Sequence, residues 1–388
     1  MDNIQKLSKI LRFYVLGNKL KTTIFDEKNN YSIADNLFGS ITLAIAMDSE
    51  FKETYNLGKV IRMLILSEFI KVNPDYDLNQ NLEKGKELFQ EVKEFFESQT
   101  LEAELAFKYR IWDCFLVDTI KSHDKAYDFN GLLRESLSLF HSENGEEAYR
   151  YEQVFRFYYL NQRLKHKERG GWDKNHWNIK SERLERISEH IVDTMLLAIG
   201  MNSEFPHEIK MDKVLETLAI HETGEILIGD ITPFDGVSKE KKMEMEHKAI
   251  RDCLGNLSQK NKYMQMLLDF DEQQSKEDTF TYFCDKIVAD LQSKFYQDNG
   301  LHHSLEDQNE NRVFKSKKVQ ELLAKGAKTP FDIWFGCDRT IYEKNPYFPE
   351  FFDLLVLAKN MDLAKLISYN EMRDQDVLSL KLKNLKSE

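Results

Sequence analysis

Apolar residues recur along this chain at the spacing of buried helix faces. Met211, Val214, Leu215 and Leu218 form one stripe, with the polar Asp212 and Lys213 between them. Ile187, Ile191, Thr194, Leu197, Ala198 and Met201 form a second, and Tyr282 to Asp290 reads as a third helix. No proline falls between Pro74 and Pro206, over a stretch rich in Leu, Glu, Lys, Phe and Ala. Long helices with short connections fit that composition. No convincing strand alternation appears; Thr279 to Phe283 comes nearest and is short. The expected fold class is all-α.

Polar residues interrupt these stripes at particular places. One turn beyond Leu218 the inward face reaches His221 and Glu222. A buried carboxylate must be neutralised or paired, and a metal ion is one way to do it. Glu225 follows one turn after His221, on the same expected face. Gly229 then breaks the pattern, Asp230 follows, and Pro233 stops further helix. His190 shares a face with Thr194 and Leu197, and Asp285 lies in the third helix.

The chain also repeats itself. Leu43 to Phe51 (LAIAMDSEF) reads against Leu197 to Phe205 (LAIGMNSEF) at an offset of 154 positions. The same offset carries Leu57, Lys59, Val60, Ile61 and Leu64 onto Met211, Lys213, Val214, Leu215 and Leu218. With a small insertion, Leu11-Arg12-Phe13-Tyr14 meets Phe155-Arg156-Phe157-Tyr158, and Asp113 and Asp118 meet Asp285 and Asp290. A domain-sized period implies two related domains rather than a solenoid. At the candidate chemistry the copies part: His190 faces Asn36, His221 faces Ser67, Glu222 faces Glu68 and Glu225 faces Lys71. The first copy lacks both imidazoles, and Asn and Ser are poor nitrogen-ligand substitutes.

The ordered set Ser188-Glu189-His190, His221-Glu222, Glu225, Gly229-Asp230 and Asp285-Lys286 resembles the HD superfamily of metal-dependent phosphohydrolases. The likeness is strongest to the branch of bacterial 5′-deoxynucleotidases. It covers roughly residues 150 to 300, and Arg169-Gly170-Gly171-Trp172 resembles the Arg/Trp segment ahead of the first histidine. The doublet here is His-Glu where the family has His-Asp, which moves the carboxylate by about one bond length. The resemblance implies metal ligation by His190, His221, Glu222 and Asp285. It implies that Glu225 orients the water or protonates the leaving alcohol, and that Asp230 reads the sugar and favours deoxyribose. Arg169 would hold the phosphate, and Trp172 or Trp177 would pack on the nucleoside.

Two imidazoles and two carboxylates suit Mn²⁺, Co²⁺, Fe²⁺, Ni²⁺ or Zn²⁺ better than Ca²⁺ or Mg²⁺. The expected organisation is therefore a degenerate HD-like domain over residues 1–145, an HD domain with the metal site over 146–308, and a helical C-terminal extension over 309–388. The two copies would form a pseudo-dimer inside one chain, with further oligomerisation open.

Composition narrows the function. The net charge of −12 argues against nucleic-acid polymers and anionic membranes as partners, but a bound cation can still recruit a small phosphorylated substrate. Four widely spaced cysteines show no CxxC pair, the N-terminus has no signal-peptide core, and no apolar run approaches a membrane span. A reducing, cytoplasmic setting is the plain reading. The remaining motifs read blandly: Gly170-Gly171 as a turn, Gln273 to Asp278 as a polar loop, His302-His303 as solvent-facing, and the aromatics of Asn345 to Phe352 as core ahead of a helix starting near Pro349. The expected function is phosphate release from a nucleoside 5′-monophosphate. The rival readings are a hydrolase of a signalling nucleotide and an inactive nucleotide-binding scaffold.

Overall fold

The structure is a computed structural model that describes residues 3–51, 54–124, 129–140 and 145–368. It begins with α1 (Asn3–Gly17), α2 (Lys19–Thr22), an antiparallel hairpin of β1 (Ile24–Asp26) and β2 (Tyr31–Ser32), α3 (Ile33–Glu50) and α4 (Leu57–Val72). Then come α5 (Leu78–Asn81), α6 (Gly85–Glu97), α7 (Leu101–Asp124) and α8 (Phe129–Leu139). The second half runs through α9 (Glu146–Asn161), α10 (Ile187–Glu204), α11 (Met211–Ile220), α12 (Glu225–Ile228), α13 (Lys239–Leu254), α14 (Lys260–Glu272) and α15 (Lys276–Asp298). The chain continues with α16 (Lys317–Ala324), α17 (Pro330–Glu343), α18 (Pro349–Lys359) and α19 (Leu363–Ser368).

The fold is all-α apart from the small hairpin, which the sequence pattern does not announce because its strands are too short to alternate. Thr279 to Phe283 lies inside α15. The polar stretch after Phe270 is shorter than expected, because a capping box starts α15 early. Ser275 Oγ accepts from the Asp278 amide at 3.2 Å, and the Asp278 carboxylate accepts from the Ser275 amide at 3.1 Å.

Helices α3 and α10 are buried along almost their whole length and pack against each other; α4 packs against α11. The first long helix of each half lies on the other half: α1 packs on α10, and α9 packs on α3. One continuous apolar core therefore runs through both halves. In the C-terminal region α17 and α18 cover α15, and α18 and α19 cover α1. Helix α18 starts at Pro349, where a missing amide costs nothing. Phe348 and Phe351 are buried against Phe280 and Phe283. His302 departs from expectation. It is 9% exposed, edge-on to Trp177 and Tyr296, and burial lowers its pKa to about 4. The polar C-terminal dozen lies outside the described residues. No described helix is long and apolar enough to cross a membrane.

A buried ion pair ties the second half's leading segment to the first half. Lys165 Nζ lies 3.2 Å from Asp113 Oδ1, and both side chains are 0% exposed. Tyr158 Oη donates to the same oxygen at 2.6 Å, and Asn36 Nδ2 donates to Oδ2 at 2.6 Å. Removing one partner of such a pair strands a buried charge. Lys165→Met should cost about 3–5 kcal/mol, read as a lowered urea midpoint, and Lys165→Met with Asp113→Asn should recover part of the loss.

Candidate metal centre

Two helices and the turn that follows a third deliver the four candidate ligands. Helix α10 is started by Glu189, whose carboxylate accepts from the Arg186 amide at 2.9 Å, and carries His190 at 0% exposure. Helix α15 brings in Asp285, 5% exposed. Helix α11 ends at Ile220, just before the His-Glu doublet.

Through the doublet the backbone bonds tighten to three-residue spacing. Thr223 N donates to Ile220 O at 3.0 Å, and Glu225 N to Glu222 O at 3.0 Å. Glu225 thus opens the separate short helix α12 rather than extending the face of α11, which corrects the expectation of one continuous helical face. The tighter winding of three residues per turn swings residues beyond His221 away from the α11 stripe. Gly229 closes α12 at φ +77°, a conformation that favours glycine.

The four side chains meet. His190 Nε2 lies 2.9 Å from Asp285 Oδ1 and 3.6 Å from Glu222 Oε1. His221 Nε2 lies 3.6 Å from each of those oxygens, and the two ring centroids are 5.8 Å apart. One donor atom from each residue falls within 4.8 Å of all the others. His221 Nδ1 lies 2.8 Å from the Leu218 carbonyl, which can only accept. In the neutral ring the proton therefore sits on Nδ1 and leaves the lone pair on Nε2, a buried atom with no hydrogen-bond partner. An orphaned imidazole nitrogen facing two carboxylates fits a divalent transition ion, whose bonds of about 2.0–2.2 Å suit such a cluster.

The electrostatics agree with a cation site. Burial alone would raise the Asp285 pKa, but Lys286, 2.8 Å from Oδ2, and the two imidazoles hold it well below the usual range. Glu222 is likewise lowered: burial opposes, and His221 and Arg169 prevail. Burial and Arg169 lower His190, whereas His221 is raised, because Glu222 and Asp285 outweigh its burial. Glu225 is pushed well above the carboxylate range by burial, then by Glu222 and Asp230.

The remaining expected residues separate into two groups. Arg169 lies beside the cluster, with Nη1 3.6 Å from Glu222 Oε1 and without a hydrogen-bond partner. Backbone bonds from Arg169 N to Glu185 O and from Ile187 N to Lys167 O, each 2.9 Å, clip its segment to the start of α10. Asp230 accepts from the Gly170 amide at 2.9 Å, which joins the Gly-Asp turn to that segment. A Cβ at position 170 would lie 2.9 Å from the Asp230 carbonyl oxygen, so the turn there favours glycine. Trp172 is a correction. It is 1% exposed, its ring packs on Tyr296 and Trp334, and its Nε1 donates to Glu185 at 2.9 Å. Trp177, 2% exposed, packs in the same secondary core. Neither indole has a face free to stack on a ligand; the large apolar rings are consumed by packing against residues 296–334. Lys286 carries no motif of its own, and adjacency to Asp285 is its only signal in the sequence.

The first half holds a different arrangement at the corresponding positions. Ser67 Oγ donates to the Leu64 carbonyl at 3.0 Å, the bond that His221 makes to Leu218. Glu68 is paired with Arg110 and, at 2.8 Å, with Lys71, while Asp113 takes Lys165. Side-chain cations neutralise both acids there.

The HD domain family matches residues 161–325. The matched region extends past residue 308 into α16. The chain is 25% identical over 147 residues to the mouse protein 5′-deoxynucleotidase HDDC2, covering 37% of this chain and 70% of that one. It is 31% identical over 107 residues to the Dictyostelium discoideum protein of the same name, covering 26% and 54%. It is 27% identical over 175 residues to 5′-deoxynucleotidase hdd1 of Schizosaccharomyces pombe, covering 42% and 81%.

Metal analysis of dialysed protein checks the cluster. His221→Ala or Asp285→Asn should reduce Co²⁺ or Mn²⁺ affinity by more than the about 10–100-fold typical of losing an outer-shell partner. Acid should release the ion. A raised His221 pKa means that the proton binds that ring more readily, so affinity should rise with pH until His221 is deprotonated and then level off. Affinity that is flat across that range would count against His221 as a ligand.

Proposed function

We propose that this chain, an HD-domain protein, is a metal-dependent phosphohydrolase that releases phosphate from a deoxynucleoside 5′-monophosphate. The observation that carries the reading is the convergence of His190, His221, Glu222 and Asp285 around a buried, unpartnered imidazole nitrogen. Their mixed nitrogen and oxygen donors suit Mn²⁺, Co²⁺, Fe²⁺, Ni²⁺ or Zn²⁺. Such an ion supplies charge neutralisation at a phosphoryl oxygen and a water of lowered pKa.

The surrounding side chains divide the remaining work. Arg169 has an uncommitted guanidinium nitrogen beside the cluster and can donate to a phosphate oxygen. Glu225, held in its protonated form by burial and by neighbouring acids, is suited to general-acid work. As water adds to phosphorus, the bond to the 5′ oxygen breaks and that oxygen takes the Glu225 proton. The Asp230 carboxylate, fixed by the Gly170 amide, can accept from a 3′-hydroxyl and crowd a 2′-hydroxyl. Trp172 acts from behind: its N–H holds the side chain of Glu185, whose carbonyl accepts from the Arg169 amide.

We also propose that the halves are copies of one domain joined as a pseudo-dimer. The reciprocal packing of α1 on α10 and of α9 on α3 supports this, as do the matched bonds of Ser67 and His221. On this reading the second copy is the catalytic one, and the first serves packing, its acids neutralised by lysine and arginine.

A nucleotide panel with added Co²⁺ or Mn²⁺ tests the activity. Phosphate release from deoxynucleoside 5′-monophosphates should be lost in His221→Ala, whereas ligand-induced stabilisation without release would favour a sensor. Glu225→Gln should lower kcat by about 10²–10⁴-fold and remove the alkaline limb of the pH–rate profile, since the wild-type proton is lost as pH rises through the raised Glu225 pKa. Asp230→Ala should narrow the preference for deoxyribose over ribose, measured as a ratio of kcat/KM values; an unchanged ratio would remove Asp230 from sugar selection. Glu222→Asp should retain metal, and a gain in kcat would show that the longer acid costs rate.

A further inference from the structure

Each half's leading segment sends a Tyr–Lys pair, seven residues apart, into the other half. Tyr14 and Lys21 come from the first half; Tyr158 and Lys165 come from the second. The two pairs close on carboxylates at different places. Tyr158 and Lys165 grip Asp113 on α7, at 2.6 and 3.2 Å. Tyr14 and Lys21 grip Asp193 on α10, with Tyr14 Oη 3.4 Å from Oδ2 and Lys21 Nζ on the same oxygen. Lys21 Nζ also lies 2.9 Å from Glu185 Oε1 and 2.7 Å from Gln292 Oε1.

In the register of the repeat, Asp113 corresponds to the candidate ligand Asp285, and Asp193 corresponds to Gly39. A Cβ at Gly39 would overlap the Asp113 carboxylate and crowd the Lys165 ammonium. Glycine therefore leaves the space in which Asp113 leans over α3 to meet its lysine. At the matching position the second half carries Asp193, which is 1% exposed and engaged by Lys21. Asp285 turns to the imidazoles instead, 2.9 Å from His190 Nε2.

We infer that Asp193 is a positioning residue that keeps Lys21 off Asp285 and so leaves the Asp285 carboxylate to the metal. This rests on the metal reading of the His190–His221 cluster. Asp193 acts in two ways: it fills the volume into which Asp285 would lean, and it supplies the counter-charge that Lys21 would otherwise find there. With glycine at that position, as in the first half, the ammonium takes the place of the ion. Glu185 and Gln292 complete the lysine's cage and let it be buried without a ligand carboxylate.

The test compares wild type, Asp193→Gly, Lys21→Met and the double variant in the full chain. Co²⁺ affinity is read by competition with a chromophoric chelator, and crystal structures are solved without metal. Asp193→Gly should weaken Co²⁺ binding by about 10-fold or more, in the range seen for outer-shell partners, and Lys21→Met in the same chain should restore it. A general packing defect would not be rescued by removing the lysine. In the metal-free Asp193→Gly crystal, Lys21 Nζ should lie within hydrogen-bond distance of Asp285. Unchanged affinity in Asp193→Gly, or no rescue by Lys21→Met, overturns the inference. So does a lysine that stays on Glu185 and Gln292. If wild type and His221→Ala bind Co²⁺ equally, the metal reading fails, and the lysine's position in the crystal still decides the role of Asp193. Should the glycine variant not fold, Asp193→Asn, of nearly equal volume, carries the same measurements for the charge alone.

Discussion

A carboxylate that stays ionised when buried in a helical protein must find a cation, and the surroundings of three buried aspartates in this molecule follow from that constraint. Asp113, Asp193 and Asp285 are all 5% exposed or less. Each is resolved differently. Asp113 takes Lys165, Asp193 takes Lys21, and Asp285 faces two imidazoles with Lys286 on its outer oxygen. Only the last arrangement leaves an imidazole nitrogen unspent, and an unspent nitrogen beside a carboxylate is what a transition ion requires.

The reciprocal packing of α1 and α9 makes this a property of the whole chain rather than of either half. The lysine that neutralises the first half's acid is carried by the second half, and the reverse holds for Lys21. A half on its own would expose the apolar faces of α3 or α10 and would leave a buried acid without its partner. Packing and charge requirements therefore bind both halves together. The C-terminal helices extend the same logic, since α17 and α18 close the outer face of the helix that bears Asp285.

Much of this was legible from spacing. The stripes of α10 and α11 were readable because an i, i+3, i+4 pattern is a local consequence of helix geometry. The ligand order was readable because His190, His221-Glu222 and Asp285 together resemble the ordered HD motifs, although any one of them alone is weak. Glu225 opens α12 rather than continuing the face of α11, because a switch from four- to three-residue bonding leaves no mark in hydrophobicity. Trp172 and His302 were misjudged for a related reason. An aromatic or a histidine in a loop has no periodicity to reveal burial; Trp172 is enclosed by Tyr296 and Trp334, and His302 by Trp177 and Tyr296.

By itself the sequence determined the helical class, because each stripe depends on neighbours a turn or less apart, and the order His190, His221-Glu222, Asp285 was legible through its likeness to the HD motifs. Tertiary structure decided which lysine meets which aspartate, which tryptophan is hidden, and which carboxylate faces the two imidazoles. Those outcomes turn on where segments more than fifty residues apart come to rest. Sequence spacing carries no record of such distances, since they are set by packing among helices rather than along them.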